Sequence, residues 1–188
     1  PESVTAIGNY AFYNCKLLTN IAFNAVAMND LSSNNYVFSY AGVAGDGITV
    51  TVGPNVTKIP AYLFASEPYI VSISFAEGSV CERISEYAFY NCHLQSIEIP
   101  GTVRNLAPVV NDPNGLSYNR LAIGDYAFGY CGSLESITLP QSLKSIGSYV
   151  FSYCYNLTSI ELPESLETIS PYAFANSQRK VNVPVAHL

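Results

Sequence analysis

Apolar and polar positions along this chain alternate in two recurring signatures. The first is a short stretch in which apolar residues take every second place: IVSISF (residues 70–75), LQSIEIP (94–100), LESITLP (134–140) and LTSIELP (157–163). LLTNIAF (17–23) and ITVTVGP (48–54) follow the same rule. A period of two is the mark of a half-buried β-strand. The second signature is a Tyr-x-Phe core, found at residues 10–15, 36–41, 62–67, 87–92, 126–131, 149–154 and 172–177. Its phenylalanines are Phe12, Phe38, Phe64, Phe89, Phe128, Phe151 and Phe174, so seven units follow one another with a shortest spacing of 23 residues. The pentapeptide YVFSY occurs twice, at 36–40 and 149–153, and identifies the unit at 36–41 despite its poor flanks.

The flanks of the other six units agree. Ile7, Ile59, Ile84, Ile123, Ile146 and Ile169 each stand three residues before the core tyrosine, where the second unit has Ser33. Pro100, Pro140 and Pro163 close their strands, since proline has no amide to continue a ladder. Gly8, Gly124 and Gly147 suit a tight corner. Each unit therefore reads as a strand, a proline-led turn, an extended Leu-x-x-Ile and a short helical turn bearing Tyr-x-Phe. A unit of this size cannot bury its own apolar side, so neighbours stack and share one core. The phenylalanines are expected to be buried, and the seven core tyrosines to form a ladder inside the structure.

The pattern LxxIxLP followed by LxxIGxYxFxxC, clearest at residues 134–154 and 157–177, resembles the BspA-like leucine-rich repeat of bacterial surface proteins. The resemblance runs through nearly the whole chain and departs at 24–35, 41–47, 101–120 and 178–188. It implies an α/β solenoid, a right-handed superhelix with a parallel sheet on the concave face and short helical or irregular turns on the convex face. Residues 1–188 then form a single domain of about seven repeats with an insertion at 101–120. Pro1 to Ile7 align with Pro163 to Ile169, the turn after a strand, so the chain reads as part of a longer protein. The resemblance also implies a secreted or surface-anchored protein. It brings no shared catalytic site.

Composition removes several classes of function. Eight Lys and Arg against 14 Asp and Glu give a net charge of −6, and no basic run exists for nucleic acid. No apolar run reaches the roughly 18–20 residues of a membrane helix, and the first residues do not read as an export signal. The chain holds 15 Tyr and no Trp. Tyr13, Tyr40, Tyr90, Tyr130 and Tyr153 follow the core phenylalanine closely and are expected to be half exposed on the convex side.

Reactive chemistry is thinly represented. Cys92 precedes His93, an arrangement suggestive of a thiol nucleophile, but nothing else completes such a site. Cys15, Cys92, Cys131 and Cys154 share a register that Ala41, Glu67 and Ser177 fill elsewhere, so the slot reads as packing for a reduced thiol. Glu67 does not suit such a slot, and the third corner is expected to bend differently. A disulfide from Cys81 to Cys92 remains an alternative. Residues 111–115, NDPNG, read as a surface turn and not a calcium loop. No catalytic residue, cofactor or metal ligand is assigned.

Alternation of the strands assigns an outward row to Ser72, Ser74, Ser96, Glu98, Ser136, Thr138, Ser159 and Glu161. The resemblance implies that this concave binding face, or the 101–120 insertion, binds a host matrix or cell-surface protein, or another bacterial surface component. The expected function is a non-enzymatic extracellular interaction or adhesion module, acting as a monomer without nucleic acid or direct membrane insertion. A structural spacer presenting another domain is the alternative, and a hydrolase a distant third.

Overall fold

The structure, a computed structural model, describes residues 1–104 and 122–177. Among the described residues nine short strands appear in order: β1 (Asn20–Phe23), β2 (Ile48–Val52), β3 (Lys58–Ile59), β4 (Ile70–Phe75), β5 (Arg83–Ile84), β6 (Ser96–Glu98), β7 (Ser136–Thr138), β8 (Ser145–Ile146) and β9 (Thr168–Ile169). All their pairings are parallel. Parallel neighbours joined by full-turn connections make a β-solenoid, in which successive coils meet along three seams that are paired over part of their length.

The first seam carries the alternating strands, as β1-β2-β4 and, separately, β6-β7. Within it Ile21 pairs with Val50, Val50 with Ile73, and Ile97 with Ile137, so the apolar residues face one interior. The second seam carries the Leu-x-x-Ile segments: β3 pairs with β5, Ile84 bridges to Ile123, and β8 pairs with β9. The third seam runs through the Tyr-x-Phe corners. There the amides of Tyr62, Phe64 and Ser66 donate to the carbonyls of Glu86, Ala88 and Tyr90 in the next coil, at 3.3, 3.1 and 2.7 Å. The same three-rung pattern joins Tyr87, Phe89 and Asn91 to Asp125, Ala127 and Gly129.

These rungs explain why the corners are not helical. Each corner holds its first and fifth residues in the left-handed region: Tyr126 and Tyr130 have φ of 56° and 62°, and Tyr87 and Asn91 have 56° and 55°. Alternate amides then point along the solenoid axis to the next coil, and no i to i−4 ladder can form. Among the described residues there is no helix, and the expected short helical turns are irregular turns instead.

Side chains complete the stack. The seven phenylalanine rings form one column, with neighbouring centroids 5.2 to 5.9 Å apart. Phe64, Phe89, Phe128 and Phe151 are fully buried, whereas Phe12, at the first coil, is 41% exposed. Burial of one such ring contributes roughly 1.5–3 kcal/mol, so this column with its flanking Ile and Leu is the core. Gly124 is fixed by close approach: a Cβ there would lie 2.5 Å from the amide nitrogen of Glu86.

Several expectations need correction. The core tyrosines do not lie inside the structure; Tyr10, Tyr36 and Tyr172 are exposed and the other four only half-buried. Their left-handed backbone turns the ring outward, and the phenylalanine two residues later takes the interior. Residues 157–162, despite their alternation, are not in a strand. The third corner does not bend differently, since Tyr62 and Ser66 have φ of 57° and 59° like the rest. Glu67 is simply enclosed in the slot, 5% exposed.

Candidate interaction surface

The strands hold their polar residues outward because their alternate residues are locked into the core. Ser72, Ser74, Ser96, Glu98, Ser136, Thr138, Ser159 and Glu161 are all exposed. The ladder places Thr49 beside Ser72 and Thr51 beside Ser74, with the Ser74 hydroxyl 3.5 Å from that of Thr51. It also places Ser96 beside Ser136 and Glu98 beside Thr138. Ser159 and Glu161 are exposed but belong to the extended segment that forms no strand.

The row is not continuous. β4 and β6 are consecutive along the first seam yet form no hydrogen-bonded ladder. A cleft of about 540 Å³ opens at this break, lined by Ser74, Phe75, Ser79, Glu98, Gly101 and Thr102 among others. It joins two residues of the strand face to the start of the 101–120 insertion. The Thr102 hydroxyl donates to the Cys81 carbonyl at 2.6 Å and fixes that wall. Sequence reasoning reached Thr102 only as part of the 101–120 insertion and missed Ser79, because its position depends on the break, which alternation does not signal. Most of the insertion, together with the NDPNG turn, lies outside the described residues.

A second surface runs along the corners. Tyr62, Tyr87, Tyr126, Tyr149 and Tyr172 stack face to face with centroids 4.6 to 5.0 Å apart. Beside them runs a second row, in which Tyr90 meets Tyr130 at 5.2 Å, Tyr130 meets Tyr153 at 4.3 Å and Tyr153 meets Tyr155 at 6.0 Å. Desolvation against neighbouring rings raises the phenols of Tyr62, Tyr87, Tyr90, Tyr126 and Tyr130 above their ordinary value, Tyr87 to about 12. Nearby carboxylates add to this: Glu86 acts on Tyr62, and Asp125 acts on Tyr87 and Tyr126. The hydroxyls therefore remain protonated and neutral near pH 7.

The cysteine register serves packing and not nucleophilic chemistry. The thiols of Cys92, Cys131 and Cys154 donate to the carbonyls of Phe64, Phe89 and Phe128, each in the preceding coil, at 3.0, 3.1 and 3.2 Å. Desolvation holds all three thiols protonated, with Cys131 raised to about 12. Cys92 is buried while His93 is exposed, which removes the thiol nucleophile suggested by their adjacency. All five cysteines are free, and Cys15 alone is exposed. Among the described residues no group of His, Cys, Asp and Glu is arranged to hold a metal, and no helix is long and apolar enough to cross a membrane.

Comparison with known proteins places this geometry. The profile described as the BspA type leucine rich repeat region matches residues 1–109 and 118–185, in six copies. A leucine-rich repeat protein from Bacteroides ovatus ATCC 8483 is similar at 25% identity and a TM-score of 0.65, over 98% of this chain and 42% of that one. The pneumococcal vaccine antigen PcpA is similar at 22% identity and a TM-score of 0.58, over 87% of this chain and 34% of its own. The leucine-rich repeat protein of T. pallidum is similar at 22% identity and a TM-score of 0.50, over 87% of this chain and 65% of its own. The likenesses at 22% show the fold alone, and this chain spans less than two thirds of each of these three structures. No curated protein matches the chain.

Proposed function

The chain belongs to the BspA-type leucine-rich repeat family, and from that premise we propose that it is a non-enzymatic interaction module of a bacterial cell-surface protein. The observation that carries this reading is the regular exposed row on the strand seam: Ser72, Ser74, Ser96, Glu98, Ser136 and Thr138 all point outward from paired strands. Such a row costs the core nothing and offers hydroxyls and carboxylates at fixed spacing to a protein partner. In this reading the coil is right-handed, the row lies on its concave side, and the partner is a host matrix or cell-surface protein. The cleft at the β4–β6 break extends that surface, because it adds the walls of Ser79 and Thr102 to Ser74 and Glu98.

The test is a combined change of Ser74, Glu98, Thr138 and Glu161 to lysine, assayed for binding to immobilised matrix proteins and to cells. Loss of binding with an unchanged melting curve supports the module on this face. Undiminished binding removes the strand face from the function.

A further inference from the structure

The first tyrosine row follows the repeat, one ring at the first position of each corner, but the second row is not accounted for by the fold. In each corner the fifth residue is left-handed, and Asn14, Asn91 and Asn176 occupy that position with φ of 59°, 55° and 56°. Asparagine tolerates this region at little cost, whereas a bulky aromatic does not. Tyr40, Tyr130 and Tyr153 nonetheless hold it, with φ of 60°, 62° and 58°. In the coil before Tyr130 the ring comes from the fourth position instead, as Tyr90, and it still meets Tyr130. A ring that keeps its place on the surface while changing its place in the backbone is not set by the corner geometry.

The rings also differ in how they present themselves. First-row neighbours from Tyr62 to Tyr172 are nearly parallel, at 6° to 14°, and cover each other's faces. In the second row Tyr130 and Tyr153 stack at 19°, but Tyr90 is tilted 54° from Tyr130 and Tyr155 lies 81° from Tyr153, so ring faces are left uncovered at both ends of that row. Tyr130, Tyr155 and Tyr172 are 39%, 52% and 64% exposed. The charged groups acting on this array are acidic: Glu86 on Tyr62, and Asp125 on Tyr87 and Tyr126. Arg83 is engaged with Glu86 at 3.5 Å, while Asp125 is exposed and its carboxylate accepts the amide of Ser148 at 2.7 Å.

We propose that the tyrosine array from Tyr87 to Tyr155 is a second docking surface, for an arginine- or lysine-bearing segment of a protein partner. Guanidinium and ammonium groups are drawn to uncovered aromatic faces and donate to phenol oxygens, and Asp125 supplies the opposite charge. Neutral phenols beside a carboxylate favour a cation over an anion, and the net charge of the chain has the same sign. This inference deepens the interaction-module reading and rests on it, but it uses a different face.

The test titrates labelled nona-arginine, with nona-serine and a neutral β-linked glucose hexasaccharide as parallel probes, against the full chain. The variant Tyr130→Asn/Tyr153→Asn removes two rings while installing the residue that neighbouring coils already carry there, and its melting curve checks the fold. Nona-arginine binding is expected to weaken about tenfold in that variant, to weaken in Asp125→Asn, and to stay unchanged in Glu98→Gln/Glu161→Gln. Equal binding by wild type and the double asparagine variant overturns the proposal, as does no binding of nona-arginine at all. Binding of the hexasaccharide instead also overturns it. Peptide binding lost only in Glu98→Gln/Glu161→Gln overturns this surface while leaving the strand-face module standing.

Discussion

The thiol of Cys131 donates to the carbonyl of Phe89, 3.1 Å away in the preceding coil. Cys92 and Cys154 repeat the relationship with Phe64 and Phe128, so the slot is a weak hydrogen-bonding stitch as well as a packing site. Burial raises Cys81 to about 11 and Cys131 to about 12, and holds Cys154 higher still. Iodoacetamide at pH 8 is expected to add one group to the native protein, at exposed Cys15, and five after denaturation. Intact mass reads both numbers. Modification of two or more thiols in the native state contradicts the burial.

The phenylalanine column makes its rungs unequal. Phe151 is fully buried between Phe128 at 5.9 Å and Phe174 at 5.3 Å. Phe151→Ala is expected to cost about 3–5 kcal/mol. Phe12 contacts Phe38 at 5.2 Å but is partly exposed on its other side, and Phe12→Ala should cost ~1–2 kcal/mol. Urea denaturation of both variants gives the comparison, and equal costs would mean that the column does not carry the core.

Glu67 links stability to pH. Its carboxyl, enclosed in the cysteine register, is raised by desolvation to about 7, partly offset by a backbone hydrogen bond at Phe38. A folded pKa above the unfolded value near 4.5 means that the folded state prefers the protonated form. The group therefore imposes no penalty below about pH 4.5, an increasing one as pH rises toward 7, and its full penalty above that. Glu67→Gln is expected to stabilise by ~2 kcal/mol at pH 8 and by almost nothing at pH 4.5. Thermal melts of both proteins across this window give the result, and a benefit independent of pH would contradict it.

Left-handed tyrosines permit a sharp contrast at one position. Tyr126 has φ of 56° and its backbone amide donates to Ser148 at 3.0 Å. Tyr126→Asn keeps the backbone and loses the ring's stacking on Tyr87 and Tyr149, so a cost of about 1–1.5 kcal/mol is expected. Tyr126→Val places a β-branched residue where it is strained, and ~2–3 kcal/mol is expected. Chemical denaturation distinguishes them, and equal losses would assign the position to the ring alone.

The architecture was legible because its signals repeat. Period-two alternation at residues 48–52 and 70–75 coincides with β2 and β4, and the Tyr-x-Phe spacing predicts the ring column directly. Residues 157–162 carry equal alternation and form no strand. Alternation reports which side chains face inward, whereas a strand also requires a partner in register. Tyrosine placement was misread for a related reason. Hydrophobic spacing suggests an inward ring, but the sign of φ decides where it points, and tyrosine gives no warning of φ near 60°. For the candidate site, exposure of the strand row followed from alternation, while the cleft depends on β4 and β6 failing to pair. Local sequence does not encode that failure.

That unpaired stretch has a mechanical meaning. Between these two coils the other seams stay closed: β3 pairs with β5, and three corner amides from Tyr62 to Ser66 reach across. A column fastened along two edges and open along the third bends about its fastened edges. The mouth between Ser74 and Glu98 lies along that open edge, while the Phe64–Phe89 contact, at 5.7 Å, holds the two coils together in the core behind it. Among the described residues the strand seam is thus divided into separate ladders, and a partner spanning β1-β2-β4 and β6-β7 must bridge the gap between Ser74 and Glu98.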